Sequence, residues 1–290
     1  ICKILLVILA IFLCVAFYEL IGICVAYKKQ PEVSNTTKKE TKNGSWNECS
    51  ENTERAVIIE KNPEALLQRV RLIKNAKKEI ILSTFAFKSD ESGKLILGAL
   101  HDAADRGVHI RLLVDGMESW IDMEGNPYFY GLSSHENVEI KLYNKANPLK
   151  PWKMMGRMHD KYLIADGKRY ILGGRNTYNY FLGDFPGHKN YDRDVLVVCD
   201  EPEKENSVNQ LLEYFETIWE QEDSGYFHDN KKLANRKSVK NAVLELQNGY
   251  QKYFEENKER ICDTDYTDET FETEKIALVS NPIHTGSKEP

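Results

Sequence analysis

The chain has 290 residues, of which 41% are hydrophobic and 29% are charged. This composition excludes a wholly disordered chain, a collagen-like fibre and a membrane protein with many spans. The net charge of −6 argues against a general nucleic-acid-binding protein, because such proteins usually carry an excess of Lys and Arg.

The first segment is a candidate membrane anchor. Residues 4–18 are apolar without interruption, and after Glu19 the apolar run continues to Tyr27. A helix needs about 20 apolar residues to cross a bilayer, and Lys28 ends the run. A cleaved signal peptide is the alternative, but such peptides have shorter apolar regions and a small-residue cleavage site. We therefore predict an uncleaved single-pass anchor over residues 1–27, with its orientation left open.

A polar segment separates the anchor from an alternating series of strands and helices. Residues 28–53 are rich in Lys, Asn, Thr, Ser and Glu and predict a flexible tether. Strands are then predicted at residues 56–59, 79–87, 108–115, 138–143, 161–166, 170–172 and 193–199. Helices are predicted at residues 62–78, 92–106 and 208–219, with Asn62 as the cap of the first. This alternation is typical of an α/β sandwich with a mixed sheet.

The remaining part of the sequence is helical in pattern and highly charged. Residues 228–275 predict a surface helix followed by a linker that ends in acidic clusters. A new strand is predicted to begin at residues 275–281. The predicted domain organisation is therefore a first domain over residues 54–222, a charged linker over 223–273 and the opening of a further segment over 274–290.

The cysteines do not form a metal site or a disulfide framework. Three of the six lie in the predicted anchor, and Cys49, Cys199 and Cys262 are isolated, with no C-x-x-C pair. Zinc sites and disulfide-rich domains both require closely patterned cysteines. We therefore predict no metal and no cofactor, and the roles of these three cysteines stay open.

The residues that carry chemistry form one motif, H-x-K-x4-D-x6-G-G-x-N. His159 and Lys161 are two positions apart on a predicted strand, so their side chains project to the same side. Asn176 lies ten residues after Asp166, at the end of the return strand, where its amide can reach the same place. Glycines at 173–174 permit close backbone approach. An imidazole, an ammonium and an amide that converge on one point suit a phosphate oxyanion.

An ordinary hairpin that carries a half-exposed histidine and lysine is the alternative interpretation. It would suffice for His159 and Lys161 alone. It does not explain why Asp166, the paired glycines and Asn176 follow His159 and Lys161 at the spacings of the motif. We therefore interpret the motif as a site for phosphoryl chemistry.

The motif resembles the HKD signature of the phospholipase D superfamily. Residues 79–87, 92–106 and 107–116 resemble the first strand–helix–strand unit of bacterial cardiolipin synthases and related phospholipase D-like proteins. Residues 191–194 (YDRD) resemble the aromatic-Arg-Asp segment of that group. The likeness covers residues 55–222 and implies a phospholipase D-like α-β-α sandwich.

The resemblance implies a role for each residue of the motif. His159 forms or assists a covalent phosphohistidine, and the phosphoryl oxygens are bound by Lys161, Gly174 and Asn176. Asp166 is mainly a supporting group in the catalytic set. The reaction needs no metal and no cofactor.

The resemblance also suggests a partner for the histidine and a setting for the protein. By its position, Asp194 is the candidate carboxylate that holds Nδ1 of His159 and so fixes the tautomer. The implied substrate is an anionic phospholipid, the implied location is the bacterial plasma membrane, and no nucleic-acid partner is expected.

One departure from the family concerns the number of motifs. The superfamily's active site uses two HKD motifs, one histidine as nucleophile and the other as general acid for the leaving group. This sequence contains one, because His284 lacks the lysine, aspartate and asparagine that should follow it. We expect the second histidine to come from carboxy-terminal residues of a longer protein rather than from a second identical chain.

Three functions are weighed from the sequence. The first is a membrane-anchored phosphatidyltransferase or phosphodiesterase, with water or a lipid alcohol as acceptor. Candidate lipid-surface residues are Trp120, Trp152, Lys153 and Arg157, with core packing as the alternative for the aromatic ones. The second is a nucleic-acid phosphodiesterase with the same chemistry. The third is an inactive membrane-tethered half-domain, which is also what we expect of the 290 residues alone.

Overall fold

The structure is a computed structural model that describes residues 2–28, 35, 38–39, 54–153, 156–202, 206–228 and 230–280. Most of the predicted tether lies outside the described residues. Residues 281–290, which include His284 and the last residue of the predicted strand at 275–281, lie outside them as well.

The described residues from 54 onward are built around one mixed sheet. Its strands are β1 (Glu54–Ile59), β2 (Glu79–Thr84), β3 (His109–Asp115), β4 (Val138–Tyr143), β5 (Lys161–Ala165), β6 (Arg169–Gly173), β7 (Asp194–Val198), β8 (Ser224–Tyr226) and β9 (Phe271–Thr273). Their order across the sheet is β8-β4-β3-β2-β5-β6-β7-β1-β9. The β2–β3 and β3–β4 pairs are parallel and the remaining pairs are antiparallel.

Helices cover both faces of this sheet. They are α1 (Cys2–Lys28), α2 (Asn62–Asn75), α3 (Glu91–Asp105), α4 (Gly116–Asp122), α5 (Pro127–Ser133), α6 (Ser207–Trp219), α7 (Lys237–Glu256) and α8 (Lys258–Cys262). Ile80 and Leu82 of β2 belong to the core beneath α2, α3 and α7, whereas Ile81 belongs to the core beneath α6. Because successive side chains of a strand point to opposite faces and both faces are covered, the middle of β2 (residues 80–82) is a run of apolar residues. The predicted α-β-α sandwich is confirmed.

The segment predicted as a charged surface helix and linker packs closely on the domain. Leu246 and Tyr250 of α7 are buried against α3, and Val239 is buried beside Gly131 of α5. A side chain at Gly98 of α3 would meet the carbonyl of Leu246 at 2.7 Å, so glycine permits this close approach. Strand β9 pairs with β1, and residues 275–280 form no strand. The boundaries of separate domains stay a prediction.

The start of α2 differs from the prediction in the role of one side chain. Asn62 is the first residue of the helix, and Lys61 is the cap residue without a side-chain hydrogen bond. The Asn62 amide instead donates to the carbonyls of Tyr180 (3.3 Å) and Asn190 (2.9 Å), and its oxygen accepts from Arg175. Because the side chain is only 4% exposed, these buried partners satisfy it better than a helix-capping bond would.

Helix α1 has the properties of a membrane span. Residues Lys3–Val25 have a mean hydropathy of 2.9, and none of the most apolar window is buried within the protein. By length and composition, this helix could cross a membrane.

Candidate active site

Several strand ends meet at one edge of the sheet. Thr84 ends β2 and pairs with Lys161, the first residue of the antiparallel β5. Gly173 ends β6 and pairs with Asp194, the first residue of β7. The parallel strand β3 ends at the same edge with Asp115. Residues before β5, after β2 and after β6 are therefore close in space although they are far apart in sequence.

His159 lies two residues before β5 at this edge. Its ring packs edge-on against Phe85, with the ring centroids 4.7 Å apart. Burial lowers the pKa of His159, and the positive charge of Lys161 lowers it further, against weaker opposing effects of Asp160 and Asp115. A neutral imidazole keeps the nitrogen lone pair that a nucleophile needs.

Lys161 is only 6% exposed and lies beside the same aromatic ring. Its Nζ donates to the backbone carbonyl of His159 at 2.5 Å and lies 5.4 Å from the centre of the Phe85 ring. Burial lowers the pKa of Lys161 to about 8, although Asp160 and Asp192 act in the opposite direction. The ammonium is thus a fixed positive charge next to His159.

Asn176 completes the cluster from the loop after β6. Its Oδ1 accepts a hydrogen bond from the backbone amide of Ala86 at 3.1 Å, which orients the side chain. Since the oxygen is engaged, the Nδ2 group stays available as a donor. His159, Lys161 and Asn176 therefore all contact the two-residue segment Phe85–Ala86, which follows β2.

The paired glycines fit the tight return between β6 and β7. A Cβ at Gly173 would clash with the carboxylate of Asp194, and a Cβ at Gly174 would clash with that of Asp192. These clashes explain the need for glycine at both positions. They also place Asp192, a residue outside the predicted set, beside Gly174 and in electrostatic contact with Lys161.

The structure does not bring Asp194 to His159. The Asp194 carboxylate is buried and pairs with the guanidinium groups of Arg69 at 2.9 Å and Arg175 at 3.3 Å. Within the part of the chain that the structure describes, no hydrogen bond joins it to the His159 ring. A buried carboxylate needs charged partners, and α2 supplies Arg69 from the face above β7. In this structure Asp194 holds the β6–β7 return together.

Asp166 lies at the opposite edge of the sheet from His159. It occupies the turn between β5 and β6 with φ of 54°, a conformation that Asp tolerates better than most residues. Its carboxylate accepts hydrogen bonds from the backbone amides of Lys77, Lys78 and Glu79. The structure therefore places Asp166 as a tie between the β5–β6 turn and the start of β2, away from the reacting groups.

We expect Asp166→Ala to lower the free energy of unfolding by about 1–3 kcal/mol, because it leaves three amides without their acceptor. Asp166→Asn should lose less, since it keeps an oxygen acceptor and the tolerance for positive φ. Urea unfolding measures both losses. An unchanged stability combined with lost activity would contradict the structural role of Asp166.

Two contacts of the site were not predicted from the sequence. Phe85 supports His159 and Lys161, and the Arg157 guanidinium lies 4.9 Å from its ring centre. Asp115 accepts from Arg157 at 2.7 Å and from the amide of Met158 at 3.1 Å, which fixes the backbone just before His159. Asp115 could have been found from the sequence, because it is an acidic residue at the end of a predicted buried strand. Phe85 could not be singled out from the sequence, because most residues of the predicted strand 79–87 are apolar.

The four lipid-surface candidates separate into two kinds. The cations are engaged within the protein: Arg157 pairs with Asp115, and Lys153 pairs with Asp223 at 3.0 Å. The aromatic residues are accessible, with Trp120 65% exposed and Trp152 36% exposed. Core packing is therefore not the explanation for these two tryptophans.

The comparisons with known proteins agree with this geometry. The sequence model of the family described as "Cardiolipin synthase, PLD-like domain" matches residues 69–219. An uncharacterized protein of Helicobacter pylori (strain J99) is 31% identical over an alignment of 212 residues that covers 68% of this chain and 39% of that protein. Cardiolipin synthase C of Escherichia coli (strain K12) is 28% identical over an alignment of 171 residues that covers 54% of this chain and 34% of that protein.

The chain therefore spans less than half of the length of these relatives. Among solved structures, NucT from Helicobacter pylori aligns with 60% of this chain and 99% of its own, with a TM-score of 0.47 and 17% identity. The family match covers more than half of the 290 residues and includes the whole HKD motif. The chain belongs to the phospholipase D superfamily, whose members act on phosphodiesters as transferases or hydrolases, and within it to the family of the cardiolipin synthase domain.

Proposed function

We propose that this chain supplies one half of the active site of a membrane-anchored enzyme that transfers or cleaves phospholipid phosphodiesters. The observation that carries the proposal is the placement of His159, Lys161 and Asn176 around Phe85–Ala86. This arrangement presents a neutral imidazole, a positive charge and an amide donor to one point, which are the groups that phosphoryl transfer requires.

The proposed reaction proceeds in two steps. A His159 ring nitrogen attacks phosphorus, and the bond to the leaving alcohol oxygen breaks as that oxygen takes a proton from a general acid. Lys161 and Asn176 donate hydrogen bonds to the non-bridging oxygens. Water or a lipid alcohol then attacks the phosphohistidine and gives its proton to the same group, which restores both residues. The general acid is the histidine of a second HKD half.

Lipid substrates are favoured over nucleic acid by the surroundings of the site. Helix α1 is apolar enough to cross a membrane, and Trp120 and Trp152 are accessible at the same edge as His159. The net charge of −6 disfavours the binding of a nucleic acid, because a protein usually holds such a polyanion with many positive side chains. We propose that the enzyme is a single-pass protein of the bacterial plasma membrane and acts as a synthase that uses a lipid alcohol.

The substrate class is tested on a form of the protein that contains both halves of the active site. Labelled phosphatidylglycerol is incubated with the enzyme in mixed micelles, and the lipid products are separated by thin-layer chromatography. Cardiolipin and glycerol are expected if a lipid alcohol is the acceptor, and phosphatidic acid if water is. Cleavage of DNA in a gel assay without lipid turnover would favour the nucleic-acid alternative.

The pH dependence of kcat/KM is expected to have an acid limit set by His159 and an alkaline limit set by whichever of Lys161 and the general-acid histidine loses its proton at the lower pH. His159 must be neutral to attack, and its pKa lies below the usual value of about 6.5, so activity should fall only below that pH. Lys161 must be charged, and its pKa is lowered to about 8, so activity should fall no later than that value, and earlier if the general-acid histidine loses its proton first. A profile that stays flat to about pH 10, the range of a solvated lysine, would contradict the phosphate-binding role of Lys161.

We expect EDTA to leave turnover unchanged. In the proposed reaction an ammonium and an amide hold the phosphoryl oxygens, where other enzymes use a divalent cation. Within the described ranges, no group of three or more His, Cys, Asp or Glu side chains is arranged to hold a metal ion. Inactivation by the chelator that added zinc or magnesium reverses would overturn the metal-free reaction.

A further inference from the structure

The loop between β4 and β5 exposes apolar side chains beside the anchor. Leu149 is 77% exposed and Trp152 is 36% exposed. Pro151 between them packs against Gly22 of α1, so closely that a side chain at Gly22 would clash with the proline ring. The hydroxyl of Tyr18 donates to the Leu149 carbonyl at 2.8 Å. The loop is therefore joined to the last turns of a helix that could span a membrane.

The depth of these contacts along α1 indicates what surrounds the loop. The apolar span ends at Val25, and Tyr18 lies seven residues before it. At a rise of about 1.5 Å for each residue, Tyr18 lies about 10 Å inside the end of the span. Interfacial protein segments reach about 5–10 Å into the boundary between headgroups and acyl chains. If α1 spans a bilayer, a loop that contacts Tyr18 and Gly22 lies at a depth where lipid replaces water.

The loop is also held firmly at the edge that carries the active site. The Asn144 amide donates to the carbonyls of Lys153 and Gly156, both at 2.6 Å, and so closes the loop at its base. The residue before Asn144 ends β4 and pairs with Asp115, which contacts Arg157 in the site. A rigid link therefore connects the loop to the residues around His159.

We propose that residues 149–152 enter the lipid leaflet beside α1 and hold the His159 edge of the sheet against the bilayer. The occupant of this apolar surface is the bilayer itself, because α1 brings it to the loop and because exposed Lys150 suits anionic headgroups. The inference rests on the part of the proposed function that makes α1 a membrane span, and not on the catalytic role of His159. A lipid phosphodiester could then reach the site from the membrane surface.

The test uses the full chain in vesicles of phosphatidylethanolamine and phosphatidylglycerol. Leu149→Cys is compared with the matched control Leu244→Cys on α7, where the leucine is 57% exposed. A polar, membrane-impermeant maleimide is present on both sides of the bilayer, and peptide mass spectrometry separates each site from the native cysteines. Buried Cys199 should stay unlabelled and so reports that the domain is folded.

Exposure alone would make the thiol at position 149 at least as reactive as the one at position 244. The proposal predicts the reverse, a rate at least about tenfold slower at position 149, because a thiol in apolar surroundings stays protonated. This protection should not change when the protein is diluted in excess lipid. Equal or faster labelling at 149 overturns the proposal, and so does a protection that disappears on dilution, since a second copy would then cover the loop.

A wash with alkaline carbonate separates this inference from the proposal that α1 is an anchor. A chain that the wash removes has no membrane span, and the anchoring and the inference then fail together. A chain that resists the wash but is labelled equally at both positions keeps its anchor, and only the insertion of residues 149–152 is wrong.

Discussion

Replacing His159 by alanine should lower turnover by about 10⁴-fold or more in a form of the enzyme that has both halves of its active site. The covalent path needs a ring nitrogen at this position, and neither Lys161 nor Asn176 can supply one. The fold should survive, because His159 is exposed and, among the residues that the structure describes, its ring packs only on Phe85. Steady-state kinetics and thermal unfolding of the same sample measure the two effects separately.

His109→Ala is the matched control for this variant. His109 begins β3, at the edge of the sheet opposite to the site, and its ring nitrogens contact Glu79 and Glu139. Its loss should change stability slightly and leave turnover close to that of the unaltered enzyme. If His159→Ala kept more than a few per cent of activity under conditions where His109→Ala is normal, the nucleophile would be another residue.

Residues 28–290 should fold without the anchor but turn over substrate poorly as a monomer. One histidine attacks phosphorus and cannot at the same time protonate the leaving oxygen. A positioned general acid contributes about 10² to 10⁴ in rate, so its absence should be plain in an assay. The measurement is the rate on a labelled phosphodiester, with the molecular mass of the same sample determined by light scattering.

A dilution series distinguishes the source of any activity in this sample. If two copies bring two His159 rings to one phosphate, activity and dimer mass should fall together as the protein is diluted. That result would revive the interpretation of an active site shared by two identical chains. Robust activity from a strictly monomeric sample would contradict the requirement for a second histidine.

The strands and the core of the site were predictable because their signals are local. Residues 138–143 form a strand with the predicted bounds, since apolar side chains alternate there with polar ones. Lys161 begins β5, His159 lies two residues before it, and Asn176 follows the adjacent hairpin partner β6, so short spacing was sufficient to place them together.

The roles of the two aspartates could not be predicted, because their partners are distant in sequence. Asp194 binds Arg69, 125 residues away, and Asp166 binds amides 87–89 residues away. Nothing near either residue indicates these contacts.

The burial of α7 was missed for a related reason. Its charged residues dominate the sequence, while the narrow apolar stripe that includes Leu246 and Tyr250 meets α3 only in the folded chain.

The nucleophilic role of His159 is tested most directly by trapping its covalent adduct. An enzyme with both halves is mixed with labelled phospholipid, quenched during turnover at a pH that preserves phosphohistidine, and digested for mass spectrometry. We predict a phosphatidyl adduct on the peptide that contains His159, and its absence in His159→Asn. An adduct on a different residue, or turnover with the label never on His159, would contradict the assignment.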